Sequence, residues 1–503
     1  MLPLTSINQK STPTSFQVNS IPKHWKDVLS KTWTRNRVHN SDELDEVLEV
    51  FRKACSSTLK GQVKVHHFKP GEVYNHWIIP PRWNLKAFEL RGPNGKLIAS
   101  LADSPLAVAC YSESVDLKLS LGELKEKIVT RADLPDAYSF LFRGMYRHWE
   151  KSWQLSLPYS IVSRLTEGEY HVRIESERND KPMPVFEYEW KGQSDKIVFL
   201  AGHIDHPAMV NDGLSGCLAA LQAIEMLEQR VQKPLFTYRV LLVPEIIGSA
   251  VYLKRFEDVV PRVMFSLCPN MTSHDAPLAM CRSKSTRSLL DQSLRMALWE
   301  TGENFLEGAF HAYPDCGDEI SFDAVGYEIP SPTLSRRGES FGFYHTSNDN
   351  LTRFLEPAAQ ARHQRLVEIL ARSLEILELN FSLNTSIRGN PCLSNPNLGL
   401  YLNTSNVNNR FLKENVMRSF DGKPVDLRNF MEFFLDSLAH RGVSVLEIAH
   451  ESQLPFDFVW NYARQFVEKG LVQSLPCERR ESLNRRASTS LYLAGLVGLG
   501  EGL

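Results

Sequence analysis

A chain of 503 residues exceeds what one ordinary core holds, and at roughly 100 to 200 residues per domain it predicts about three units. Hydrophobic residues make up 43% and charged residues 23%, and 57 Lys+Arg against 59 Asp+Glu leave no charge excess to draw nucleic acid or an anionic membrane. The eight cysteines (Cys55, Cys110, Cys217, Cys268, Cys281, Cys316, Cys392 and Cys477) form no CxxC pair, which predicts reduced thiols and a cytoplasmic location.

The N-terminus, MLPLTSINQKSTPTSFQVNS, lacks the apolar core of a signal peptide, and residues 1–20 are expected to be disordered. Over 21–60 the spacing of Leu29, Leu44, Val47, Leu48 and Phe51 suits helices packed on a larger body. The texture changes over 61–130, where VKVHHF, NHWIIPPRWN and AFELRGPNGKLIAS alternate apolar and polar residues around a PNG turn; this predicts an inserted β domain. Residues 131–385, together with 21–60, read as an α/β domain. Its strands KIVFLAG (196–202), YRVLLVP (238–244), VMFSLC (263–268) and EIPSPTLS (328–335) alternate with helices over 214–229, 284–300 and 357–379. That alternation predicts a mixed, mostly parallel sheet with helices on both faces.

Beyond the linker NTSIRGNPCLSNPNLGLYLN, three helical stretches give 386–477 a winged-helix pattern. The last of them balances Asp457 and Glu468 against Arg464 and Lys469, so it lacks the basic face that phosphate contact needs. The tail, 478–503, is expected to be mobile. No apolar run reaches the roughly 18 residues of a membrane span.

In a parallel sheet ligands gather beyond the carboxyl ends of the strands, and there the chain places its chemistry. KIVFLAG runs into AGHIDHPAMVNDGLSG with His203, Asp205, His206 and Asp212; YRVLLVP runs into Glu245. Later, PDCGDEISF offers Asp315, Asp318 and Glu319, and FYHTSNDN supplies His345. Imidazoles and carboxylates from separate loops form the donor set of a catalytic zinc that keeps one position open for water. Asp205, two residues past His203, has the spacing of a carboxylate that fixes a ligating imidazole. Glu245 is the candidate general base. His206, followed by Pro207, is read as shaping the turn or meeting substrate.

Singly, each residue has a plainer role: His203 a satisfied core histidine, Asp212 a helix N-cap, Glu245 and His345 solvated loop residues. Their shared position at strand ends is what selects the metal site. Cys217, inside an apolar helix, reads as an inert buried thiol. No GxSxG elbow, phosphate-binding glycine loop or dinucleotide fingerprint stands between a strand and a helix.

The series GHIDHP, VNDGLSG, PEIIGS, GDE and YHTSNDN, with WIIPPRWN and YSESVDLKLSLGELK upstream, resembles the bacterial aminopeptidase-like proteins associated with polysaccharide-biosynthesis loci, over residues 30–475. Those are relatives of the zinc aminopeptidases and glutaminyl cyclases. The resemblance implies a zinc-peptidase α/β fold with a β insert and a winged-helix end. It also implies catalytic roles for Glu245 and Asp205 and metal ligation by His203, Asp212 and His345 with Asp318 as a further ligand; an aminopeptidase would bind the free amine of its substrate, which Asp318 or Glu319 could pair with, beside the substrate contact read for His206. Two departures stand out. PEIIGS has a single glutamate before Ile246 where the wider group has two, so Glu245 is base first and ligand second. SLCPNM has Cys268 and Asn270 where dinuclear relatives carry an acid, so one or two zinc ions both fit.

The expected function is zinc-dependent hydrolysis of an amide or peptide bond in a small amine-bearing substrate. A mononuclear-zinc cyclotransferase or amide-forming enzyme, and a noncatalytic regulator acting through the winged helix, are the alternatives. Neither nucleic acid nor membrane is expected as a partner, and a homo-oligomer is compatible with the chain.

Overall fold

The computed structural model describes residues 20–285, 287–312, 317–336, 342–402 and 418–483. Residues 1–19 and 484–503, Asp315 and Cys316 lie outside the described residues, and with them most of the segments expected to be disordered or mobile. The chain divides into two compact units, Met1–Lys284 with Phe305–Glu368, and Ser285–Asn304 with Ile369–Leu503.

The first unit is built on an eight-stranded sheet. In chain order its strands are β1 (Gln62–Phe68), β2 (Met183–Trp190), β3 (Ile197–His203), β4 (Thr237–Val243), β5 (Val263–Asn270), β6 (Leu278–Cys281), β7 (Phe305–Gly308) and β8 (Thr333–Arg336). Their order across the sheet is β1-β2-β4-β3-β5-β8-β6-β7. The central strands β4, β3, β5 and β8 run parallel, whereas β1 and β2 pair antiparallel at one edge. Every residue of β3 is buried, as a strand covered on both faces requires. Ile197, Phe199 and Ala201 pack with Ile247, Val251 and Tyr252 of the helix Ile247–Arg255. The other face meets the helix Leu214–Arg230, which is buried along most of its length.

The strands and helices flanking the candidate residues start and stop within a few positions of the expected ones. The insert does not. Gln62–Phe68 joins the main sheet rather than the small one, and the small antiparallel sheet is ordered Leu97–Ser100, Arg82–Arg91, Glu169–Asn179, Val115–Ser120. Its longest strand, an inner one, comes from beyond residue 130 because Glu169–Asn179 offers the ten-residue strand Arg82–Arg91 a matching length to pair along.

The second unit contains the helices Leu289–Thr301, Leu427–Ser437, Val445–Ser452 and Phe456–Glu468, and an antiparallel sheet ordered Val443–Ser444, Phe381–Thr385, Val472–Pro476. Ser444 and Glu447 form a reciprocal capping box at the start of Val445–Ser452. The helix Leu289–Thr301, expected in the α/β domain, belongs here: the Trp299 ring stacks on His450 at 5.3 Å and Arg295 lies 2.8 Å from that imidazole. Among the described residues no helix is long and apolar enough to cross a membrane.

Candidate metal centre

Strand β3 ends on His203 and β4 ends just before Glu245, and because the two strands are parallel neighbours with His203 paired to Val243, both residues leave the sheet on one side. The loop after β3 then folds back. Its backbone takes positive φ at His206 (79°), Ala208 (54°) and Gly213 (95°), values that side-chain-bearing residues adopt only where the surroundings enforce them. At Gly213 a Cβ would lie 2.9 Å from the Asp205 carbonyl oxygen, so glycine is required there.

Asp212 does not cap the helix that follows: the N-cap is Gly213, with no side-chain capping bond. Its carboxylate instead gathers imidazoles. His203 Nε2 stands 3.1 Å from Oδ1, His345 Nε2 3.1 Å from Oδ2, and His206 Nε2 3.7 Å from Oδ2. All of these groups but His345 are almost wholly buried. Burial alone would push the Asp212 carboxyl up, but the imidazoles of His206, His203 and His345 hold it well below the usual range.

His206, expected at the turn or against substrate, is brought into this group, and the ligand atoms of His203, His206 and Asp212 lie within 4.8 Å of one another. His206 Nε2 is also 3.8 Å from Glu245 Oε2.

Asp205 is fully buried, yet the imidazole it faces is not that of His203. Its Oδ1 lies 3.6 Å from His206 Nδ1 and accepts the Glu245 backbone N–H at 3.0 Å, while Oδ2 faces His39 Nε2 at 3.4 Å. One carboxylate thus fixes both a candidate ligand and the strand end that carries Glu245.

Asp318, expected as a ligand, stands outside the group. Its Oδ1 accepts the Ile246 N–H at 3.0 Å and the Ser249 hydroxyl at 2.5 Å, and burial pushes this carboxyl up to about 7. It secures the residue after Glu245 at the start of the helix. Glu319 is buried and bonded to His311 at 2.6 Å. Beside them, a Cβ on Gly317 would come within 2.6 Å of Glu245 Oε1, so glycine leaves that carboxylate its room.

Several supporting residues carry no local sequence signal, because each arrives from a distant segment. The buried Arg37 guanidinium donates to the Ile204 carbonyl at 2.9 Å, to the Met209 carbonyl at 2.8 Å and to the His206 carbonyl, clamping the loop. Tyr146 donates its hydroxyl to Glu245 Oε2 at 3.0 Å. Asp349 accepts the backbone N–H groups of Asn211 and Asp212, both at 2.8 Å; its place in the run FYHTSNDN, four residues past His345, is the available clue. Asn270, where an acidic ligand would have argued for two metals, donates its amide to Asp212 Oδ1 at 3.3 Å and accepts the Gly213 N–H at 3.2 Å. Cys217 is buried and donates to the His203 carbonyl, as a structural thiol.

The donor chemistry suits a zinc ion. Asp212 Oδ2 and His345 Nε2 are buried and face each other at 3.1 Å without the direction of a hydrogen bond, and imidazole nitrogens with a carboxylate oxygen are what zinc takes. Beside this group opens a cavity of about 250 Å³ lined by Phe140, Phe142, Tyr146, His206, Glu245 and His345 among others. An open cavity, the Glu245 carboxylate and a metal-type donor set therefore meet at one point.

Comparison with known proteins agrees with this architecture. A family model described as "Domain of unknown function (DUF4910)" matches residues 26–380. A Clostridium acetobutylicum relative, named a polysaccharide biosynthesis protein with aminopeptidase-like domain, is 26% identical over 397 residues, which are 78% of this chain and 84% of the relative. The crystal structure of a protein named as a peptidase, also from Clostridium acetobutylicum, superposes with a TM-score of 0.74 at 22% identity, covering 90% of this chain and 96% of the other. A peptidase M28 precursor from Shewanella amazonensis SB2B matches with a TM-score of 0.52 at 14% identity, over 74% of this chain and 96% of that one. At these identities the likeness is one of fold, and the fold is aminopeptidase-like.

Proposed function

The chain belongs to the DUF4910 family, and from that premise together with the site geometry we propose that it is a zinc-dependent hydrolase of an amide or peptide bond. The observation that carries this reading is the convergence of three imidazoles on the two oxygens of Asp212, with Glu245 3.8 Å from one of them and facing a cavity. His203, His206 and Asp212 would hold the ion, with His345 beside them on the Asp212 oxygen that His206 also faces. The Asn270 amide beside Asp212 favours a single ion, because the position that could supply another anionic ligand donates a hydrogen bond instead. When bound, zinc supplies Lewis-acid activation of water and of the amide carbonyl.

The chain's own residues do the rest. Glu245 takes the proton of the attacking water on its carboxylate and returns it to the leaving amine. The Tyr146 hydroxyl and the Asp205-bound backbone N–H keep that carboxylate aimed into the cavity. Asp205 fixes His206 through Nδ1 and so leaves Nε2 directed at Asp212. Phe140 and Phe142, each with its ring centroid 5.2 Å from that of His345, give the cavity an apolar wall that keeps bulk water from the centre.

The decisive experiment combines metal analysis with turnover of an aminoacyl amide panel. Purified protein should carry about one zinc per chain, and Glu245→Gln should keep that zinc while losing about 10²- to 10⁴-fold in rate. Protein that folds normally yet neither retains nor takes up zinc would refute the reading. Loss of zinc in Glu245→Gln would make Glu245 a ligand instead.

A further inference from the structure

A second cavity, of about 290 Å³, lies next to the first: Met145 and Tyr146 line both. Its other walls include the indoles of Trp77 and Trp149, the imidazoles of His39, His76 and His148, and the Asn75 amide. None of its described lining residues is Asp, Glu, Lys or Arg, so those walls offer an ionised group no carboxylate, ammonium or guanidinium partner. Trp149 is 59% exposed and Ile78 39% exposed, an apolar surface left open at the mouth.

The hairpin that supplies four of these residues, Asn75, His76, Trp77 and Ile78, is built for display. Val73–Tyr74 pairs with Trp77–Ile78 through the two-residue loop Asn75-His76, and both loop residues have positive φ (47° and 68°), the geometry of a type I′ turn. Glycine is the usual second residue of that turn; here a histidine takes the conformational cost and brings an imidazole to the cavity. Opposite it, His39 is wholly buried. Its Nε2 faces Asp205 at 3.4 Å, whereas Nδ1, on the other edge of the ring, is buried without a hydrogen-bond partner.

We infer that this second cavity is a substrate subsite for an uncharged, hydroxylated ring, a sugar ring, held beside the group that reacts in the first cavity. The inference rests on the hydrolase reading for the identity of that first cavity. An indole face stacks against the C–H face of a sugar ring, and imidazole and amide groups exchange hydrogen bonds with its hydroxyls. The side chain of an aromatic amino acid would fill the same walls but leave His39 Nδ1 without a partner, at the cost every buried unsatisfied polar atom carries. A charged substrate group would meet no carboxylate, ammonium or guanidinium among the described lining residues. The Tyr146 wall common to both cavities places the ring next to the scissile amide, as in an aminoacyl or amide-linked sugar.

The test is saturation-transfer NMR on the full-length zinc-loaded protein, titrated separately with methyl glycosides of glucose, galactose and N-acetylglucosamine and with phenylalanine amide, alongside turnover of the aminoacyl amide panel. At least one glycoside should bind to wild type. Its dissociation constant should rise by about tenfold or more in Trp149→Ala, an exposed position whose change leaves folding intact, and stay within about threefold in Trp149→Phe, which keeps a stacking face. Absence of binding by every glycoside, binding by phenylalanine amide alone, or equal glycoside binding in Trp149→Ala would overturn the subsite. Glycoside binding by a protein that hydrolyses none of the amides would leave the subsite standing and sink the hydrolase reading alone; amide turnover without glycoside binding would do the reverse.

Discussion

Replacing Arg37 by methionine should damage the centre without touching a candidate ligand. The guanidinium is fully buried and forms no carboxylate pair among the described residues; it spends its donors on the carbonyls of Ile204, His206 and Met209 in the loop and of Thr32 and Trp33 at the end of a helix. Burial lowers its pKa from 12.5 to about 10, so it remains a cation at neutral pH, and that lowering of 12.5 − 10 corresponds to about 3 kcal/mol of penalty for holding the charge there. Methionine relieves that penalty but takes the donor from the carbonyls of Ile204, His206, Met209 and Trp33, at about 1.5 kcal/mol each, while Thr32 keeps the Arg35 N–H. The balance is a loss of about 3 kcal/mol in stability. Because the loop carries His206 and leads to Asp212, zinc affinity should fall about 10- to 100-fold, the usual effect of losing support around a ligand. Lysine, with three donors on one nitrogen, should fall between the two. Urea denaturation and competition with a chromogenic zinc chelator read both quantities. Arg37→Met protein that unfolds within about 1 kcal/mol of wild type and binds zinc equally well would show that the clamp does not organise the site.

Other outcomes follow from the same geometry. His206→Ala should lose zinc affinity about as strongly as His345→Ala, by about tenfold or more in chelator competition; intact affinity would return His206 to a substrate role. Gly213→Ala forces a Cβ to within 2.9 Å of a carbonyl oxygen at a φ of 95°, so it should lower the melting temperature and the zinc content together, and a variant retaining both would contradict the required turn. His363 is buried, donates its Nε2–H to Gln222 Oε1 (3.0 Å) and accepts the Thr272 hydroxyl at Nδ1 (2.6 Å), and burial lowers its pKa from 6.5 to about 3. The unfolded chain therefore binds a proton that the folded one refuses between those values, so stability is unaffected above pH 6.5 and falls by up to about 1.4 kcal/mol per unit as pH drops below it. In His363→Gln that slope should be shallower by this amount; an unchanged pH profile of the denaturation midpoint would refute the assignment.

Much of the centre was legible in the chain because strand ends are local features. An aliphatic run, a polar turn and an apolar helix in AGHIDHPAMVNDGLSG already place His203 and Asp212 at the carboxyl end of a buried strand, and the runs around Glu245 and His345 repeat the pattern. The sheet and its flanking helices follow from the same alternation. Pairing partners were not legible. Period and propensity do not say that Gln62–Phe68 would leave the small sheet for the large one, or that Leu289–Thr301 would pack among the C-terminal helices, since both depend on partners far along the chain.

What the residue order determines by itself is thus the inventory: which groups can bind a metal or move a proton, and which strand each one follows. Tertiary structure decides their roles. His203 and His206 are only three positions apart, and no spacing rule reveals that Asp205 would turn to His206 and His39, or that Asp318 would be held by Ser249 and Ile246 instead of joining the ligands. Those assignments depend on positive-φ backbone at His206, Ile246 and His345, conformations that isolated sequence disfavours and that only surrounding contacts can stabilise. Arg37, Tyr146 and Asp349 supply such contacts from three distant segments, which is why the clamp becomes visible only once the chain has folded.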